Sequence, residues 1–203
     1  MGGRTFLTGL FGGDAARRAL QLRRSGKILA LPDRKMLADV YIPALAEEGG
    51  CILWVGCRAY TVGDYERLEG GGGETWTTDI DPGAERWGRA GRHRTGDVCV
   101  AHAIFADKMF DSIVCNGVLG FGVDAPEQQR RALEALAHIL RPGGRLLLGW
   151  NVDKIGDPIA AGFAEPWFSP EAFAGHPSRV TFAETTHVYD SLVRRTDPVR
   201  SLD

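Results

Sequence analysis

The chain has 203 residues, 44% of them hydrophobic and 25% charged, with 24 basic against 26 acidic residues and a formal net charge of −2. That length and balance read as one soluble, cytoplasmic domain able to bury a full core without disulfides or a structural metal. They exclude a global basic field for a nucleic-acid backbone, and the longest apolar runs, such as Cys51 to Gly56 and Leu146 to Trp150, are far too short to span a membrane. The first seven residues contain no apolar stretch of the secretory kind. Cys51, Cys57, Cys99 and Cys115 form no CxxC pair and have no His cluster at ligand spacing, so no metal site is expected.

Residues 1–50 read as a helical N-terminal extension. Asp14 is placed to cap a helix over Ala15 to Arg24, which Ser25-Gly26 ends. Pro32-Asp33 opens a second helix, with Met36, Leu37, Val40, Tyr41, Ala44 and Leu45 on one face. Gly49-Gly50 closes it, and Pro43 should kink it. From residue 51 to 203 the pattern becomes strand and helix in alternation. Strands are predicted over Cys51 to Val55, Glu74 to Ile80, Arg92 to Thr95, Phe110 to Asn116 and Arg145 to Trp150. The intervening helices fall at Tyr60 to Leu68, near Ala84 to Gly88, and at Pro126 to Leu140, the clearest of them, before the stop Arg141-Pro142-Gly143-Gly144. Phe168 to Ala174 reads as a short helix, and Val180 to Val193 as one or two last strands at an antiparallel edge. The fold class is therefore α/β, a Rossmann-like doubly wound sheet of about seven mostly parallel strands.

Ligands of such sheets bind beyond the carboxyl ends of the strands, where strand order reverses. Five segments lie there: Gly56-Cys57-Arg58, Asp79-Ile80-Asp81, Gly96-Asp97-Val98, Asn116-Gly117-Val118 and Trp150-Asn151. An acid ending the second strand can accept from both hydroxyls of a ribose, and Asp97 can accept from an exocyclic adenine amine.

Four ordered stretches between Cys51 and Trp150 resemble the core of the class I S-adenosylmethionine-dependent methyltransferases: Ile52 to Cys57, Asp79-Ile80-Asp81-Pro82, Phe110 to Leu119, and Leu140 to Leu146. The resemblance implies S-adenosylmethionine as cofactor and S-adenosylhomocysteine as product. It implies that Gly56 and Cys57 pass close to the methionine portion and that Asp79, with Ile80 beside it and Asp81 as the next candidate, holds the ribose. Asp97 and Val98 would flank the adenine, and Asn116 and Gly117 would line the floor near the methionine. The first motif departs from the family. Trp54 stands where an acid is usual, and Arg58 and Tyr60 replace two glycines. In one reading Arg58 grips the methionine carboxylate and Tyr60 adds a hydroxyl; in the other the bulk narrows the pocket.

Methyl transfer needs alignment more than acid–base groups, and a base only where the acceptor must lose a proton. His93, Asp124, Asn151, Asp153 and His187 face the cleft by position, with Asp124 doubling as a cap for the long helix. No catalytic base is assigned. Phe6, Phe11, Phe121, Phe163, Trp167 and Phe168 could cover the cleft and favour a flat or apolar small molecule. The expected function is methyl transfer to O, N or C of a small metabolite, with no nucleic-acid or membrane partner. The alternative is a catalytically inactive binding module of the same fold. A dinucleotide oxidoreductase lacks its GxGxxG turn, since Gly56 to Thr61 does not supply one.

Overall fold

The computed structural model describes residues 26–196. Its strands are β1 (Cys51–Val55), β2 (Glu74–Asp79), β3 (His93–Thr95), β4 (Phe110–Asn116), β5 (Leu140–Asn151), β6 (Phe168–Pro170), β7 (Arg179–Thr181) and β8 (His187–Arg194). They form one sheet in the order β3-β2-β1-β4-β5-β8-β6, with β7 also paired to β8. Strands β1 to β5 run parallel. Strand β8 enters antiparallel beside β5, and β6 and β7 share its other edge.

The continuous apolar runs have a physical reason: both sheet faces are covered, so both sets of alternating side chains are buried. In β1, Ile52 and Trp54 join one core with Leu37, Tyr41, Leu45, Tyr65 and Tyr189. Leu53 and Val55 join the other with Phe105, Leu133, Leu136 and Leu148. The first core is roofed by α1 (Pro32–Met36), α2 (Ile42–Glu48) and α3 (Val62–Glu69). The second is roofed by α4 (Ala101–Ile104) and α5 (Pro126–Ile139). Residues 32–48 thus form part of a layer of the sandwich, and the helix predicted over Ala15 to Arg24, like Phe6 and Phe11, lies outside the described residues.

Between α1 and α2 the chain widens into a π-helical turn, Leu37–Tyr41. Pro43 follows in the first turn of α2. It has no N–H for the carbonyl four residues back, and the wider turn relieves the ring's clash there, so the expected kink becomes a π turn. The helix expected over Phe168 to Ala174 is instead β6 and an irregular segment. The edge of β8 supplies a ladder for Phe168–Pro170, and Pro170 is tolerated because β6 is an outer strand. Strand β8 lies inside the sheet, flanked on both edges. Among the described residues no helix is long and apolar enough to cross a membrane.

The antiparallel end is pinned by a buried charge. Asp190 accepts from Trp150 Nε1 at 2.8 Å and from Arg179 Nε and Nη2 at 2.7 and 3.1 Å. Arg179 also donates to Asp157. Arg179→Met leaves Asp190 buried with one donor. Urea unfolding should show a loss of about 2–3 kcal/mol, less than a fully buried pair costs because Arg179 is partly in water. A loss below about 0.5 kcal/mol would mean that water replaces the guanidinium.

Candidate active site

The sheet reverses order between β1 and β4, and the cleft opens above that point. It is a shallow hollow open to solvent. Of the ten residues first expected at the cofactor, seven line it together: Gly56, Arg58, Asp79, Ile80, Asp97, Val98 and Gly117, with Gly96, Val118 and Phe121 from the same expected segments and cover beside them. Three do not line it. Cys57 is buried beneath it, Tyr60 lines an adjoining depression, and Asn116 is buried behind Gly117.

Gly56 ends β1 with φ +89°, a conformation that L side chains rarely adopt. That turn aims the Cys57 N–H at the end of β2, where it donates to Asp79 Oδ2 at 2.7 Å. The Asp81 N–H donates to Asp79 Oδ1 at 2.9 Å. Arg58 Nη1 donates to the same Asp79 Oδ2 at 2.7 Å and to the Cys57 carbonyl at 2.6 Å. Asp79 is almost fully buried, whereas the Arg58 side chain is 53% exposed, so the guanidinium can leave this position at little cost. Its Nε and Nη2 have no such partner among the described residues.

Asp97 caps the 3₁₀ turn Val98–Val100 by accepting from the Cys99 N–H at 2.9 Å through Oδ1. Its other oxygen stays available at the cleft. Ile80 is 67% exposed, unusual for so large an apolar side chain, and shares the cleft wall with Val98. Burial pushes the Cys57 thiol above its ordinary pKa, so it is no ready nucleophile.

The base candidates separate. His93 turns beneath the cleft floor, with Nδ1 3.0 Å from Thr77 Oγ1 and 4.0 Å from Cys57 Sγ, and burial lowers its pKa. Asp124 is not the cap of α5. Its Oδ1 accepts from the Gly122 N–H at 3.1 Å, while Gln128 Oε1 takes the Ala125 N–H at the helix start. Asn151 and His187 line the depression next to the cleft with Asp33, Arg34, Tyr60 and Phe121, whereas Asp153 stands outside it and accepts from Thr186 Oγ1. Phe121 belongs to both hollows.

Asp33, Arg34 and Gly149 escape sequence reasoning. Arg34 stacks over Tyr60 at 5.4 Å and reaches to 4.0 Å from where a Gly117 Cβ would stand. Nothing local marks a cation in a helix start for this role. Gly149 carries a signal, since a glycine inside the run Leu146 to Trp150 points to a close approach. A Cβ there would collide with Asn116 Oδ1 and lie 2.8 Å from His187 Nε2.

Residues 53–148 match the family model of a methyltransferase domain. A curated relative, the ubiquinone/menaquinone biosynthesis C-methyltransferase UbiE of Bordetella avium, is 28% identical over 134 residues, 62% of this chain and 48% of that protein. The chain therefore matches about half the length of that relative. Among solved structures, a TehB-like S-adenosylmethionine-dependent methyltransferase from Corynebacterium glutamicum aligns with a TM-score of 0.61 at 19% identity, covering 88% of this chain and 100% of that one. The N-methyltransferase NodS from Bradyrhizobium japonicum aligns with a TM-score of 0.51 at 18% identity, covering 92% and 98%. Structural likeness at that identity speaks for the fold. The domain match lies across the strands that build the cleft: residues 53–148 are similar to a methyltransferase domain, on a fold shared with S-adenosylmethionine-dependent methyltransferases.

Proposed function

We propose that the chain transfers the methyl group of S-adenosylmethionine to a small-molecule acceptor in the cytoplasm. The observation that carries this reading is the pair of acids on adjacent strand ends, Asp79 and Asp97, in one cleft with the exposed Ile80 and with Val98. Asp79 suits the ribose hydroxyls, Ile80 and Val98 the faces of the adenine, and the second oxygen of Asp97 its amine. Gly56 and Gly117 let the backbone approach the methionine portion, with Cys57 and Asn116 supporting it from behind. The bound cofactor supplies an activated methyl, and the chain's task is to bind, orient and exclude water.

The methionine carboxylate needs a cation, and two are at hand. Arg58 keeps donors beyond those spent on Asp79, and Arg34, ordered by Tyr60, faces Gly117. Arg58→Ala and Arg34→Ala should each weaken S-adenosylhomocysteine by about tenfold, the worth of a charge-assisted hydrogen bond. Neither should move the affinity of 5′-methylthioadenosine, which lacks the carboxylate, by more than about twofold. Equal losses for both ligands in calorimetric titration would remove the carboxylate role. A small acceptor is supported by the adjoining depression, where Asp33 and Glu184 accompany Ile28 and Leu31 and the one cation among the described lining residues is Arg34. That is a poor surface for a phosphate backbone.

A second reading, an inert module of the same fold, draws on Arg58 covering Asp79. Saturable binding of S-adenosylhomocysteine to the wild type decides between them. No heat at millimolar ligand would favour the inert module.

A further inference from the structure

Two buried polar atoms beside Gly149 have no hydrogen-bond partner among the described residues: His187 Nε2 and Asn116 Oδ1. Buried polar atoms are almost always paired, so two orphans side by side mark a place for a ligand group. His187 is only 3% exposed. Its neighbours set its protonation. Thr186 Oγ1 donates its single proton to Asp153 Oδ1 at 2.6 Å, so it can only accept from Asn151, whose Nδ2 lies 2.9 Å away. Asn151 therefore presents Oδ1 to His187 Nδ1 at 3.1 Å, and Nδ1 must carry the ring proton. His187 Nε2 is left as a bare lone pair. Asn116 Nδ2 donates to Tyr189 Oη at 3.0 Å, which leaves its Oδ1 as a second acceptor. Two acceptors facing one spot require a donor between them.

We propose that the acceptor's reacting hydroxyl docks between His187 Nε2 and Asn116 Oδ1, and that His187 is the general base of O-methyl transfer. This rests on the cofactor reading above. The location fits, because Asn116 immediately precedes Gly117 in the cleft wall, and Phe121 lines both the cleft and the depression that holds His187. In the step, the hydroxyl oxygen attacks the methyl carbon as the carbon–sulfur bond breaks and its electron pair stays on sulfur. The O–H proton passes to Nε2, giving an imidazolium that later returns it to water.

The step calls for a base where the acceptor is a hydroxyl. Burial first, then the positive charge of Arg34, lowers the pKa of His187 to about 3. Among the described residues, Asp33, Tyr60 and Glu184 line the same depression as His187, and Tyr189 packs on its ring. A neutral amine attacks with its free lone pair and needs no base in the transfer, so the bare Nε2 bears on a hydroxyl acceptor. An oxygen that has gained a methyl is far more acidic than any imidazolium, so transfer to His187 runs downhill.

Phenol, aniline and anisole are the probes, each added at millimolar concentration to protein saturated with S-adenosylhomocysteine. Phenol should shift the ¹⁵N resonance of His187 Nε2, and anisole, lacking the donor, should not. With S-adenosylmethionine, phenol should yield anisole and aniline no N-methyl product. His187→Asn should cut phenol turnover by about a hundredfold or more, the range for a lost general base, with S-adenosylhomocysteine affinity held within about twofold. Gly149→Ala, whose Cβ would collide with Asn116 Oδ1 and crowd His187 Nε2, should also abolish the phenol shift, and urea unfolding of both variants guards against a misfolded one. The proposal is overturned if phenol leaves Nε2 unmoved in cofactor-loaded protein, if His187→Asn keeps turnover within about threefold, or if the methyl appears on nitrogen or on a ring carbon. Failure of S-adenosylhomocysteine to bind at all would overturn the cofactor reading instead, and the inference with it.

Discussion

Asp79→Ala should weaken S-adenosylhomocysteine binding by about a hundredfold or more, because two hydrogen bonds to a charged acceptor are lost and each is worth about 1.5–3 kcal/mol. The same change removes the acceptor for the Cys57 and Asp81 N–H groups. Stability should therefore fall by about 1–3 kcal/mol, the cost of leaving buried donors unmade. Calorimetric titration and urea unfolding on one preparation separate the two effects. A stability loss with affinity inside about threefold would make Asp79 an anchor for the Gly56 turn and nothing more. The comparison with Arg58→Ala sharpens this, since Arg58 shares the Asp79 oxygen but leaves both backbone donors satisfied when removed.

Acidification should destabilise the protein through His187 well before the surface carboxylates titrate. Its pKa is ordinarily 6.5 in the unfolded chain and is lowered to about 3 in the fold. The native state then binds the proton more weakly than the unfolded one. The contribution is complete above pH 6.5 and is lost as pH falls towards the folded value. Asp64 runs the other way. Burial raises its pKa from 3.8 to about 6 against the pull of Arg67 and Arg34, so its contribution is present below 3.8 and lost as pH rises through 6. Between those limits the two slopes oppose each other in the wild type, and His187→Asn should expose the Asp64 slope alone. The stability of His187→Asn relative to wild type should rise by about 3 kcal/mol from about pH 6.5 to pH 4, at roughly 1.4 kcal/mol per unit. Urea unfolding of both proteins at three pH values in that window measures it. Parallel curves would mean that water reaches His187 and the imidazole is not desolvated.

Much of the fold was legible because its signals are local. The runs Ile52 to Val55, Ile113 to Cys115 and Leu146 to Leu148 are apolar on both faces, and the periodicity of Ala132 to Leu140 identifies α5 without any neighbour. Acids directly after such strands mark a cleft in any parallel sheet, which is why Asp79 and Asp97 could be placed beforehand. Phe168–Pro170 was misread for the complementary reason. It has little intrinsic preference for a strand and becomes one because β8 presents an open edge to it. The expectation that Asp124 caps α5 failed on competition, since the Gln128 side chain reaches the Ala125 N–H and Asp124 turns back to Gly122.

The strand–helix alternation, the two-sided burial and the resemblance to a methyltransferase domain are all readable along the chain, because hydrophobic period and glycine placement act over a few residues. It took the assembled sheet to place the antiparallel β8 inside it, between β5 and the β6/β7 edge, so that His187 stands opposite Asn151 in the ladder and beside Asn116. Only the tertiary structure placed Arg34 against Tyr60 and Gly117, and Arg58 on Asp79. These meetings join residues far apart in the chain, and strand order, which no local preference encodes, is what brings them together.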